Sequence, residues 1–311
     1  MKPLLSNNMK RKNSLIRLLP VAAVMLLYSC DSTHSPDSAI VESSVTTGFL
    51  DEVSIKNAQK VQEIFYSVPS PMEMASILKK SGATYDISLL NDVKRVSEYT
   101  TASSRALNLG IYGADLSYAS IFNQNQEAII YLSCSKKLAD NLGVTKAFDD
   151  STIERMEANV ENRDSLLNII SETYYMLDAY LKENGRDHIS AMVIAAGWVE
   201  GLYLATTIAS KDVNPDPLLL RRIAEQKLSL NNLEDLVKAY NKGNQLNEIL
   251  DDLKRIRTAY DKVQMKKEKS TVGVSADGST VIGGATQTEM SKETLEEITK
   301  VVNEIRTRYV S

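Results

Sequence analysis

The sequence predicts an all-α fold, a compact multi-helix bundle or irregular helical array. Three observations carry that expectation. Apolar residues recur at three- and four-residue spacing in one segment after another from Val53 to Gln264. Proline and glycine pairs punctuate those segments where helices should stop. The chain has only two cysteines, Cys30 and Cys134, and two histidines, so neither a disulfide framework nor a histidine-rich metal centre can hold it, and packing of apolar helix faces must.

Val53 to Ser67 places Ile55, Ala58, Val61, Ile64 and Phe65 on one stripe, and Val68-Pro69-Ser70-Pro71 then breaks the helix before another begins near Met72. Short helices are expected around Asp86 to Glu98. Ala102 to Phe122 and Gln126 to Leu142 are longer, separated by the polar Asn123-Gln124-Asn125. Ser151 to Asn162 and Ser165 to Asn184 follow, the latter ending at Gly185, where glycine suits a left-handed C-terminal cap. His188 to Ser210 is the most apolar helix, and Asn214-Pro215-Asp216-Pro217 ends it. Leu218 to Leu228, Leu233 to Lys242 and Leu246 to Gln264 complete a helical domain spanning 53–265. Residues 266–288 change character: Val272, Val274, Val281 and Ile282 flank Asp277-Gly278, which suits a small β-hairpin near 271–283 and equally a glycine-rich linker. Residues 289–311 form a C-terminal helix, with Ser291 as N-cap and Glu293 in its first turn. Its stripe of Ile298, Val301, Val302 and Ile305 needs a surface to cover it, either the main body or a second protein.

The N-terminus has a different logic. Leu18 to Tyr28 is an uncharged stretch of signal-peptide length, too short to span a bilayer, preceded by Lys10, Arg11 and Lys12 and closed by Leu27-Tyr28-Ser29-Cys30. This pattern resembles a bacterial lipoprotein signal, with Met9 as the natural start of the basic region. The resemblance covers only about the first thirty residues. It implies removal of 1–29 as a signal peptide, acylation of Cys30, a lipid bilayer as partner, and a place in the bacterial cell envelope, expected at the outer membrane on its periplasmic or surface face. Residues 30–52, rich in Ser and Thr with scattered acids, read as a flexible tether that buries too little apolar surface to repay ordering. The first 29 residues hold five of the 36 basic side chains and none of the 40 acidic ones, so the chain from Cys30 onward carries a formal charge of about −9. That balance argues against nucleic acid as a partner.

Ile189 to Ala209 is apolar and contains a single charge, Glu200, but its Ala, Gly and Thr content and the mixed charges on its flanks favour a helix buried by protein neighbours over a membrane span. Gly197, Gly201, Ala205 and Ala209 form a nearly smooth stripe along it. Ala102, Ala106, Gly110 and Ala114 form another on the earlier long helix. Stripes of this kind let backbones approach closely, so the two helices are expected to cross. Each also carries an acid followed three residues later by a tyrosine, Asp115 with Tyr118 and Glu200 with Tyr203, 85 residues apart, an offset that also aligns Gly110 with Ala195 and suits either a duplicated unit or coincidence.

Isolated acids on apolar helices make a candidate ligand pocket of Asp115, Tyr118, Trp198, Glu200 and Tyr203, in which burial would raise the carboxyl pKa values. The competing reading gives both acids satisfied structural roles. No Glu-x-x-His metal pair, nucleophile elbow, Walker loop or dinucleotide fingerprint occurs, so no metal, cofactor or catalytic residue is expected. His188 suits a cap or surface position, and Cys134 a small core residue. The functional expectation is a non-catalytic structural or interaction module of the envelope with an envelope protein as partner; a small-ligand or solute-binding lipoprotein is the alternative.

Overall fold

A computed structural model describes residues 71–267, 271–274, 280–283 and 286–311. The signal segment, Cys30, the 30–52 tether and the helix expected over Val53 to Ser67 lie outside the described residues. Nine α-helices occur among the described residues: α1 (Pro71–Lys80), α2 (Ala102–Ile121), α3 (Asn125–Leu142), α4 (Asp150–Ala158), α5 (Arg163–Glu183), α6 (Asp187–Lys211), α7 (Pro217–Tyr240), α8 (Asn247–Tyr260) and α9 (Lys292–Tyr309). The all-α class is therefore correct.

Local chemistry sets most of the boundaries. The Thr101 hydroxyl accepts from the Ser104 N–H while the Ser104 hydroxyl accepts from the Thr101 N–H, a reciprocal box that opens α2. Asp149, Asn162, Asp216 and Ser291 are the N-caps of α4, α5, α7 and α9, each side chain accepting from a backbone N–H three residues on. Gly143 and Gly185, at φ of +69° and +66°, end α3 and α5 in the left-handed conformation that glycine adopts without cost.

Two expectations need correcting. The short helices of Asp86 to Glu98 are 3-10 turns, Ile87–Leu89 and Val93–Ser97, each capped by an aspartate. The expected break between Leu228 and Leu233 does not exist: α7 runs unbroken because Leu230, Leu233, Leu236 and Val237 continue one buried face through Asn231 and Asn232. Tertiary burial there outweighs the weak helix propensity of two asparagines. Between α8 and α9 the backbone passes through strands β1 (Gln264–Lys267), β2 (Thr271–Val274), β3 (Thr280–Gly283) and β4 (Thr286–Glu289), with β1 antiparallel to β4 and β2 antiparallel to β3.

Helix α6 is the centre of the array. It packs most extensively against α2, then against α9, α7, α1 and α5, and α2 in turn packs against α3. The two small-residue stripes meet, as their spacing predicts. A Cβ built on Gly110 would stand 2.1 Å from the Val193 carbonyl oxygen and 2.9 Å from the Gly197 nitrogen, so only glycine permits the approach. Helix α6 is long and apolar enough to cross a membrane, yet 78% of its most apolar window is buried within the protein. Its low amphipathicity reflects neighbours on every side.

Candidate functional site

Crossing α2 over α6 brings their acids into the core. Asp115 and Glu200 are both fully enclosed, at 0% exposure. The C-terminal helix α9 supplies the counter-charge. Arg306 donates from Nε to Glu200 Oε2 and from Nη2 to Glu200 Oε1, both at 3.0 Å, a two-pronged pair that matches guanidinium to carboxylate. The face of Tyr203 lies against the same guanidinium, its ring centre 4.7 Å from Arg306 Cζ, where the ring quadrupole favours a cation. Arg306 Nη2 also reaches the Leu89 carbonyl at 3.4 Å, tying α9 to the first 3-10 turn.

The loop before α2 completes the centre. The Asn91 backbone N–H donates to Asp115 Oδ2 at 3.1 Å. The Asn91 side chain donates to the Tyr99 hydroxyl and to Asn108 Oδ1, and the Asn91 backbone carbonyl accepts from the Tyr131 hydroxyl. Asn108 then donates to the Tyr309 carbonyl at 2.8 Å, and Tyr99 donates to the Val310 carbonyl, so this buried network holds the last turn of α9. On its other side α9 is fastened to α8: Asp252 accepts from the Tyr309 hydroxyl at 2.9 Å and pairs with Arg308. Leu295, Ile298, Val302 and Ile305 are buried beneath these bonds, so the C-terminal helix covers its apolar stripe against its own chain.

Burial is the first cause of the electrostatics here. It pushes the Asp115 carboxyl well above its ordinary value, and the neighbouring Glu200 charge pushes it further. Glu200 is also raised by burial, against the opposing pull of Arg306. Arg306 is driven further into its charged form by Glu200, which outweighs the cost of its own burial.

Of the five residues in the candidate pocket, Asp115, Glu200 and Tyr203 meet at this centre. The other two turn away. The Tyr118 hydroxyl bonds Thr84 and Asp86 in the α1–α2 connection, its ring stacked on Tyr85 at 5.2 Å. Trp198 faces α7, where its indole N–H donates to Gln226 Oε1 and the Ser229 hydroxyl. Sequence reasoning missed Arg306, Asn91 and Asn108. Arg306 carries no signal of its own, because basic residues in a last helical turn are expected from the helix dipole alone. Asn91 matters through contacts with Tyr99, Asn108, Asp115 and Tyr131, 8 to 40 residues away, and Asn108 through its bond to Tyr309, 201 residues on.

Among the described residues no group of three or more His, Cys, Asp or Glu side chains is arranged to hold a metal ion. Two surface hollows lie elsewhere. One, of about 650 Å³, is bounded by residues of α1, α5 and α7, Met72, Leu167 and Leu228 among them; the other, of about 520 Å³, lies between α3 and α4. Neither is lined by Asp115, Glu200 or Arg306. Compared with protein-family models, curated proteins and solved structures, the chain matches none.

Proposed function

We propose that this protein is a lipid-anchored bacterial envelope lipoprotein whose helical body acts as a non-catalytic structural or interaction module. Acylated Cys30 is its link to the bilayer, residues 30–52 are the tether, and the strand segment around 271–283 is an accessory hairpin on that body. The observation that carries the non-catalytic reading is the closure of the Asp115–Glu200 centre. Both acids are sealed from solvent, Glu200 is neutralised by a two-pronged bond from the chain's own Arg306, and the donors around them belong to the fold. A ligand site needs convergent polar groups facing an opening. Here they face one another. The lipid anchor rests on the Cys30 signal pattern, and the sealing of α6 among five other helices removes the need for a second membrane attachment.

Two measurements test the reading. Metabolic labelling with a clickable fatty acid should mark the wild-type chain and leave Cys30→Ala unlabelled and released from membranes; a labelled Cys30→Ala chain would overturn the anchor. Native mass spectrometry of the detergent-extracted protein should give the mass of the lipidated polypeptide alone. A bound small molecule retained by wild type and lost in Asp115→Asn would favour the ligand-binding alternative instead.

A further inference from the structure

At the Asp115–Glu200 centre the charges do not balance. Two carboxylates face one cation, and Arg306 has committed Nε and Nη2 to Glu200. Asp115 Oδ2 accepts the Asn91 N–H, but Oδ1 is buried with no donor bonded to it, and the carboxyl lies within hydrogen-bonding reach of Glu200. The other titratable groups coupled to Asp115 from the surrounding elements are neutral at ordinary pH. They are Tyr85 before the first 3-10 turn, Tyr112 on α2, Tyr131 and Cys134 on α3, Tyr174 on α5 and Tyr203 on α6. None can supply a second positive charge. An ionised Asp115 would leave a buried anion beside another anion with one oxygen bare, which is strongly unfavourable in such surroundings.

We propose that Asp115 and Glu200 hold one proton between them, carried on Asp115 Oδ1 and donated to a Glu200 carboxylate oxygen, so that the stability of the helical body is linked to pH. The proton satisfies the bare oxygen, removes the second negative charge and leaves a neutral cluster of Asp115–H, Glu200⁻ and Arg306⁺. Burial and the Glu200 charge raise the Asp115 pKa above its unfolded value of 3.8, so the folded chain keeps a proton that the unfolded chain releases. The contribution is therefore complete in acid. It declines as pH rises from the ordinary carboxyl range towards the folded pKa, opposite to the behaviour of a salt-bridged surface carboxylate.

Infrared spectroscopy of the intact protein at neutral pH tests the site directly. The expected result is the carbonyl stretch of a protonated carboxylic acid, shifted when aspartate carries a ¹³C-labelled carboxyl group and lost in Asp115→Asn. Glu200→Gln should abolish the band as well, because Asp115 then ionises as the only carboxylate available to Arg306. Absence of a protonated aspartate in the wild-type spectrum would overturn the proposal without recourse to any variant, and a band that persists in Glu200→Gln would overturn the sharing. In melting experiments the advantage of wild type over Asp115→Asn should shrink as pH rises above about 4. Parallel pH profiles for the two proteins would count against the linkage.

Discussion

Replacing Gly110 by alanine is the most demanding test of how α2 and α6 are joined. The added Cβ would stand 2.1 Å from the Val193 carbonyl oxygen and 2.9 Å from the Gly197 nitrogen, both backbone atoms of a helix held on its far side by α7 and α9. Restoring a separation of about 3.0 Å requires the two helices to part locally by about 0.9 Å. A radial gap of roughly that size forfeits a quarter to a half of each dispersion contact across it. Overpacking of a tight core costs about 1–3 kcal/mol and more where the obstacle cannot yield. Against this, alanine gains about 1 kcal/mol over glycine in helix propensity. Because the obstacle is main chain the strain sits at the upper end of that range, and the net expectation is a loss of about 2 kcal/mol. For a body of roughly 240 residues that lowers the melting temperature by about 4–8 °C. Circular dichroism melts and urea titrations of wild type and Gly110→Ala read both quantities. A loss under about 1 kcal/mol would refute the close crossing, because propensity and strain would then nearly cancel.

Gly113→Ala should cost less than Gly110→Ala, since its Cβ meets the Tyr174 hydroxyl and ring edge, and that side chain can swing away at the loss of its bond to the Leu109 carbonyl, about 1 kcal/mol. Arg306→Met should destabilise the protein by about 3–5 kcal/mol by leaving Glu200 buried without its cation, whereas the Arg306→Met, Glu200→Met double variant should recover much of that loss; strict additivity in the double-mutant cycle would be inconsistent with the pair. Burial pushes the Cys134 thiol up to about 11, so in Cys30→Ala protein it should resist alkylation near pH 8 and react only at the rate of unfolding. Rapid alkylation of the folded chain would show that α3 opens on its own.

Much of the fold is legible from residues close together in the chain. The caps at Thr101, Asp149, Asn162, Asp216 and Ser291 act over three residues, and so do the glycine stops at 143 and 185, which is why the helix limits emerge within a few positions. Where a local signal competes with burial, reading the chain alone fails. Asn231 and Asn232 look like a break, but the buried leucines on either side hold α7 through them. The 3-10 turns at Ile87 and Val93 look helical by period and are set by aspartate caps that leave room for only one or two turns.

The candidate centre divides along the same line. The sequence marks Asp115 and Glu200 as isolated acids on apolar helices and leaves open whether they line a ligand pocket or sit satisfied in a closed core. The crossing of α2 and α6 is legible there, because Gly110 and the α6 glycines form smooth stripes with a fixed helical period. What those acids face depends on how distant segments dock against α2 and α6. Trp198 stands two residues from Glu200 and so faces another direction, towards α7, whereas Tyr118, one turn from Asp115, is claimed by Thr84 and Asp86 in the α1–α2 connection. Arg306 reaches the centre from the C-terminal helix and Asn91 from the loop before α2, while Asn108, on α2 itself, joins that loop to the end of α9. A pairing across a separation of 106 residues, such as Arg306 with Glu200, leaves no periodic trace because it depends on where α9 docks and not on any local pattern. The charge balance of this centre, two acids to one cation, is therefore a property of the folded chain alone.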